Sequence, residues 1–126
     1  MTPPAERPAV DVRTVGGVVV ARLLDKRVLG VRAATLFDEV LGPIGGSLGE
    51  GTLVLDFSPV TFFGSESFGR LTALAAALTR RGGRLVVCHL TAGLKEAFRV
   101  TRLDTTIDVV EDLVDALGSD RPTDAT

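Results

Sequence analysis

Apolar residues in this chain come in short runs separated by polar and glycine-rich segments, and the spacing within each run predicts its structure. Residues 9–15 alternate in part, through Val10 and Val12, with Val15 out of step. Gly16-Gly17 is a hairpin signal, and residues 18–23 (VVVARL) are β-branched and apolar, so two antiparallel strands are predicted. Residues 24–30 read as a loop. Ala33, Leu36, Phe37, Val40 and Leu41 then recur at helical spacing over residues 31–41, and Gly42-Pro43 is expected to end or kink that helix. Residues 44–51, with four glycines, read as a loop. Residues 52–57 hold a continuous apolar run, Leu53 to Leu55, with too little alternation for a half-exposed strand, as in a strand buried on both faces. A second helix is predicted over residues 65–81, with Phe68, Leu71, Leu74, Ala75 and Leu78 facing inward. Arg80 and Arg81 suit its carbonyl end, and Gly82-Gly83 supplies a left-handed stop. A fourth strand over 84–88 and a helix over 92–101, with Leu94, Phe98 and Ala97 inward, come next. A short strand over 106–109 precedes a last helix over 110–117, with Leu113, Val114 and Leu117 inward.

The resulting order, β-β-α-β-α-β-α-β-α, implies strands joined by right-handed crossovers and therefore mostly parallel pairing, with the first hairpin adding an antiparallel edge. The expected fold is an α/β sandwich with a mixed, mostly parallel sheet of about five strands and four helices. Composition narrows the setting. The 126 residues suffice for one domain, assigned to residues 9–117. Residues 1–8, with three prolines, read as a flexible lead-in, and residues 118–126 as a disordered polar tail. A net charge of −2 with both signs interspersed gives no nucleic-acid footprint and no basic membrane patch. No apolar run approaches the roughly 20 residues of a membrane-spanning helix. The first residues lack an apolar signal core, so a cytoplasmic protein is expected.

Candidate chemistry is sparse. The single cysteine, Cys88, and the single histidine, His89, exclude an intramolecular disulfide, a multi-cysteine metal site and a two-histidine site within one chain. A hydrolytic set would have to join His89 to Ser65, but His89 reads more simply as a half-exposed residue at a strand end, and Cys88 as a small buried apolar residue. Neither a phosphate-binding Gly-x-x-x-x-Gly-Lys-Ser/Thr loop nor a Gly-x-Gly-x-x-Gly run occurs. Asp56 could serve as a phospho-acceptor only beside a pair of acids holding magnesium, and Asp25 stands alone. Asp56 therefore reads as a loop stabiliser through local backbone hydrogen bonds. No enzyme, cofactor or metal site is assigned. The informative stretch is Gly64-Ser65-Glu66-Ser67, a polar turn at the start of the second helix. There Ser65 could cap the helix and Glu66 suits the dipole, while the free N–H groups of a helix start also welcome phosphate.

Several separated motifs carry a resemblance. Residues 53–62 (LVLDFSPVTF) look like the signature strand and loop of the STAS domain, the fold of bacterial anti-sigma factor antagonists. Residues 81–87 (RGGRLVV) look like its second-helix stop and fourth strand, and residues 96–104, ending Val100-Thr101-Arg102-Leu103-Asp104, like its third helix and following turn. The resemblance spans about residues 9–117. In that family the loop carries Asp-Ser-Ser/Thr-Gly, whose second hydroxyl is phosphorylated by a serine kinase that is also the anti-sigma factor. Aligned without gaps, the acid falls on Gly64, the first serine on Ser65, the phospho-acceptor on Glu66 and the glycine on Ser67. The resemblance thus implies a regulatory protein-binding module in a partner-switching pathway. Its partner would be an anti-sigma factor or serine protein kinase of the histidine-kinase-like ATPase type. Glu66 would give a fixed charge where relatives have a modifiable hydroxyl, and Ser65 or Ser67 would be the substitute acceptors. The alternative is a non-switching structural subunit or a module binding a small ligand such as a nucleotide or lipid. Homo-oligomerisation is left open.

Overall fold

A computed structural model describes residues 10–118, and the expectations that fall on residues 1–9 and 119–126 lie outside it. The expected α/β architecture is what forms. Strands β1 (Val10–Val15), β2 (Val18–Leu23), β4 (Thr52–Asp56), β6 (Arg84–Cys88) and β7 (Asp108–Val109) make one sheet in the order β1-β2-β4-β6-β7. The β1–β2 hairpin is antiparallel, turning at Gly16 and Gly17, both with positive φ, and the other pairs are parallel. The helical elements are α1 (Gly30–Thr35), a π-helical segment (Leu36–Leu41), α2 (Gly42–Leu48), α3 (Ser65–Arg80), α4 (Ala92–Val100), a 3-10 turn (Leu103–Thr105) and α5 (Leu113–Gly118).

The sheet separates two apolar layers, as the period-2 alternation of strand side chains requires. Ala21, Leu23, Leu53, Leu55, Leu85 and Val87 face the larger core. There they meet Leu36, Phe37 and Leu41, then Leu71 and Leu78 of α3, and Phe98 of α4. Val18, Val20, Val54, Val86 and Cys88 face a smaller core closed by Ala116 of α5. β4 lies centrally and is buried throughout, so its residues show no polar alternation.

Four expectations are corrected. Gly42-Pro43 does not end the first helix. The π segment carries the chain across it, with the Gly42 N–H bonding back to the Phe37 carbonyl. The extra residue in that turn relieves the clash a proline ring makes with the carbonyl four residues earlier. The expected loop over 44–51 is helical to Leu48, because Ile44 and Leu48 pack on the core and Gly45 lies against Leu74 and Leu78, where packing outweighs poor propensity. The expected loop over 24–30 contains strand β3 (Arg27–Val28), which pairs in parallel with β5 (Phe62–Phe63) as a second, two-stranded sheet. Finally, Val114 is exposed, and Ala116 takes the buried position on α5.

Candidate functional site

The β4-to-α3 connection is built by backbone pairing. After β4, Asp56 accepts a hydrogen bond from the Ser58 N–H at 2.9 Å, the local role expected of it, and the Val60 N–H closes a turn on the Phe57 carbonyl at 2.8 Å. The chain then runs beside β3. The N–H groups of Thr61 and Phe62 both donate to the Lys26 carbonyl, at 2.8 and 3.1 Å, and the Gly64 N–H donates to the Val28 carbonyl at 2.8 Å. Beneath this ladder Phe57, Phe63, Phe68 and Phe98 form a chain of tilted and edge-to-face ring contacts, with centroids 4.9 to 6.3 Å apart. At its other end β3 leads into α1, and a two-pronged hydrogen bond from Arg32 to Asp25, at 2.7 and 2.9 Å, fixes that corner. The same bond raises the Arg32 guanidinium above its ordinary value.

α3 starts on this platform. Gly64, not Ser65, is the N-cap, and no side chain caps the helix, which corrects the expectation for Ser65. Ser65 and Glu66 are both exposed in the first turn, where the N–H groups have no intrahelical partner. Glu66 places a negative charge at the positive end of a 16-residue helix. Ser67 points the other way. It is 0% exposed, and its hydroxyl donates to the Val28 carbonyl at 3.0 Å. Gly64 is buried as well, and a Cβ there would come within 3.1 Å of the Leu29 Cβ. Leu29, Gly30, Phe62 and residues 64–67 line an open depression of about 400 Å³. Its apolar lining is partly exposed: Leu29 and Phe62 are each about two-fifths accessible, and Arg27 stacks over the Phe62 ring at 5.0 Å. Leu29 and Gly30, which follow β3, supply one side of this surface; β3 itself has two residues, too few to show periodicity, so sequence reasoning missed it.

The family model described as "Mlab, STAS domain" matches residues 28–115, well over half the chain. The chain belongs to the STAS domain family. Among curated proteins none matches the sequence. Among solved structures, this STAS domain is similar to an anti-sigma factor antagonist from Mycobacterium paratuberculosis, at 25% identity and a TM-score of 0.78, over 94% of this chain and 97% of that one. An anti-sigma-factor antagonist STAS domain protein from Planctomyces limnophilus aligns at 18% identity and a TM-score of 0.76, over 87% and 95%. The Bacillus cell fate determinant SpoIIAA in its phosphorylated form aligns at 16% and 0.68, over 90% and 100%. The last two likenesses concern the fold.

A second group of polar side chains converges at the carboxyl edge of β4 and β6. The ligand atoms of Asp56, Cys88 and His89 all lie within 4.8 Å of one another. Asp56 and Cys88 are register partners on β4 and β6 of the STAS sheet, and both are buried. Burial, together with the charges of Asp56 and Asp112, pushes the Cys88 thiol up to about 12. His89 is half-buried at the end of β6, as its simpler reading expects, and its ring lies near Cys88 and Asp56. Among the described residues no helix is long and apolar enough to cross a membrane.

Proposed function

We propose that this STAS domain is a regulatory protein-binding module of the anti-sigma factor antagonist kind, acting in partner switching with its acceptor position held permanently charged by Glu66. The observation that carries the reading is the exposed Glu66 in the first turn of α3, which shares one open depression with the half-exposed apolar side chains of Leu29 and Phe62. A charge beside exposed apolar side chains offers a partner both buried area and a polar determinant of recognition. The partner is an anti-sigma factor or serine kinase with a histidine-kinase-like ATPase fold, and the setting is the cytoplasm. Glu66 supplies one negative charge where a phosphate would supply about −1.5 to −2, so it imitates the modified state in part. Of the two serines in the turn, Ser65 is the accessible one, so it is the acceptor if modification persists.

The test is an affinity capture from the native cell with the wild type and with Glu66→Ser, followed by identification of the retained proteins and phosphopeptide mapping. The reading expects an ATPase of the kinase type to be retained more strongly by Glu66→Ser, which restores an unmodified hydroxyl. Equal capture by both forms would count against a switch role for Glu66. The burial of Ser67 and the absence of a hydroxyl at position 66 favour one second reading, a non-switching structural or ligand-binding subunit. Under it no phosphate appears on Ser65, and a nucleotide or lipid occupies the depression beside α3 and copurifies with the chain.

A further inference from the structure

We propose that Asp56, Cys88 and His89 form a binding site for one divalent transition-metal ion of the zinc type, at the carboxyl edge of strands β4 and β6. Three ligand chemistries meet there: a carboxylate, a thiol that binds as thiolate, and an imidazole. Among the described residues this is the group of His, Cys, Asp or Glu side chains whose ligand atoms converge, all within 4.8 Å. Zinc sites with three protein ligands leave the fourth position to water or to a group from outside, with bonds of about 2.0 to 2.3 Å. Shortening the present separations to that geometry takes side-chain shifts of less than about 1 Å. The donor set also selects the ion. Sulfur and nitrogen donors suit Zn²⁺ and Co²⁺, whereas Mg²⁺ and Ca²⁺ prefer oxygen alone.

The backbone explains how neighbours in sequence reach one point. Along a strand, successive side chains face opposite sides of the sheet. Cys88 faces the smaller core, so His89 in a continuing strand would face the larger one. Instead His89 adopts φ 61, in the left-handed region, with its N–H donating to the Glu111 carbonyl at 3.1 Å. That reversal puts the imidazole beside the Cys88 thiol, at a backbone conformation that side-chain-bearing residues seldom adopt. Burial gives a second, independent indication. Cys88 is 0% exposed and Asp56 is 7% exposed; the Asp56 carboxylate accepts from the Ser58 N–H, while Arg22, its register neighbour on β2, donates to the Ser58 hydroxyl. A buried carboxylate held by one backbone donor is costly unless further paired, and a cation at the thiol would pair it. Asp112 adds to the negative potential at the same place.

The test uses the full chain, freed of any affinity tag and of metal, titrated with Co²⁺ while the absorption spectrum is recorded. The expected result is a thiolate-to-cobalt charge-transfer band and visible ligand-field bands that saturate at one ion per chain and vanish when Zn²⁺ is added. His89→Gly is the decisive variant, because glycine suits the left-handed backbone and the fold should persist. It should weaken Co²⁺ binding by at least ~10-fold, and Asp56→Asn should do likewise. Cys88→Ser should abolish the charge-transfer band. A wild-type spectrum without that band, or a titration unchanged by a folded His89→Gly, would overturn the assignment.

Discussion

Ser67 and Ser65 stand two residues apart in one turn, and the structure predicts opposite responses to a negative charge at each. Ser67 is fully buried, and its hydroxyl donates to the Val28 carbonyl, which the Gly64 N–H also serves at 2.8 Å. In Ser67→Ala that carbonyl therefore keeps a donor, no polar group is orphaned, and the loss is about 0.5 to 1.5 kcal/mol, the net worth of one hydrogen bond. Ser67→Asp is different in kind. A carboxylate would enter a space shaped for a hydroxyl and face a carbonyl oxygen that cannot donate to it. An uncompensated buried charge costs about 3 to 5 kcal/mol. At Ser65, which is exposed in the first turn, the same carboxylate meets the helix dipole and should be neutral or stabilising by about 0.3 to 1 kcal/mol. Urea unfolding followed by circular dichroism, with all three variants compared at constant m, measures these differences. The order expected is Ser65→Asp at or above wild type, Ser67→Ala slightly below, and Ser67→Asp far below. Equal stability of the two aspartate variants would refute the claim that the turn separates an accessible hydroxyl from a sequestered one. It would also return Ser67 to the set of phosphate acceptors.

Three further outcomes follow from neighbouring features. Gly83→Ala should destabilise by at least ~1 to 3 kcal/mol in the same unfolding assay, because the new Cβ would lie 2.8 and 2.9 Å from the Gly51 and Gly49 carbonyl oxygens. Leu71→Ala should cost about 2 to 5 kcal/mol by thermal or urea unfolding, since Leu71 is 0% exposed in the larger core. Cys88 in metal-free native protein should react with Ellman's reagent far more slowly than in denaturant, because it is fully buried and its thiol is pushed up to about 12. Reaction at the rate of the denatured chain would show that the β6 edge opens freely.

The layout of the fold was legible in the sequence wherever a segment is long enough to repeat its pattern. The uniform apolar run of β4 and the helical spacing from Phe68 to Leu78 identify their elements without ambiguity, because each faces a large core. Local propensity ends the first helix at Gly42-Pro43, since it takes no account of a π turn or of packing against Leu74 and Leu78. Strand β3 was not legible for a related reason: its identity lies in its pairing with β5, 35 residues away, as between Arg27 and Phe62. At the candidate site, the exposure of Glu66 followed from the polar turn, but the opposite fates of Ser65 and Ser67 did not. Serine carries no mark of which way it faces, and the Val28 carbonyl that sequesters Ser67 comes from the strand the sequence concealed. The meeting of His89 with Cys88 was hidden likewise, because it depends on a left-handed backbone at a residue other than glycine.

The same hydrogen bonds explain which positions of this turn can vary without altering the fold. The path from β5 into α3 is fixed by main-chain donors on Lys26 and Val28 carbonyls and by the aromatic cluster below, and no side chain at positions 64 to 66 takes part in that pairing. Position 66 is therefore free to exchange hydroxyl for carboxylate, since its side chain leaves the scaffold and enters solvent. Position 67 is constrained by volume and by the Val28 carbonyl, so a small hydroxyl residue fits there and supplies a contact that glycine would lack. Position 64 is constrained by Leu29, whose Cβ would stand 3.1 Å from any Cβ introduced, which favours glycine where an acid would crowd the start of α1. Gly64 and Ser67 are thus set by packing, and Glu66 by the exposed surface. A change of recognition charge at position 66 can in this way arise with little effect on stability, and Glu66→Ser should shift the urea midpoint by no more than a loss of about 0.3 to 1 kcal/mol would produce, the loss of one favourable dipole contact.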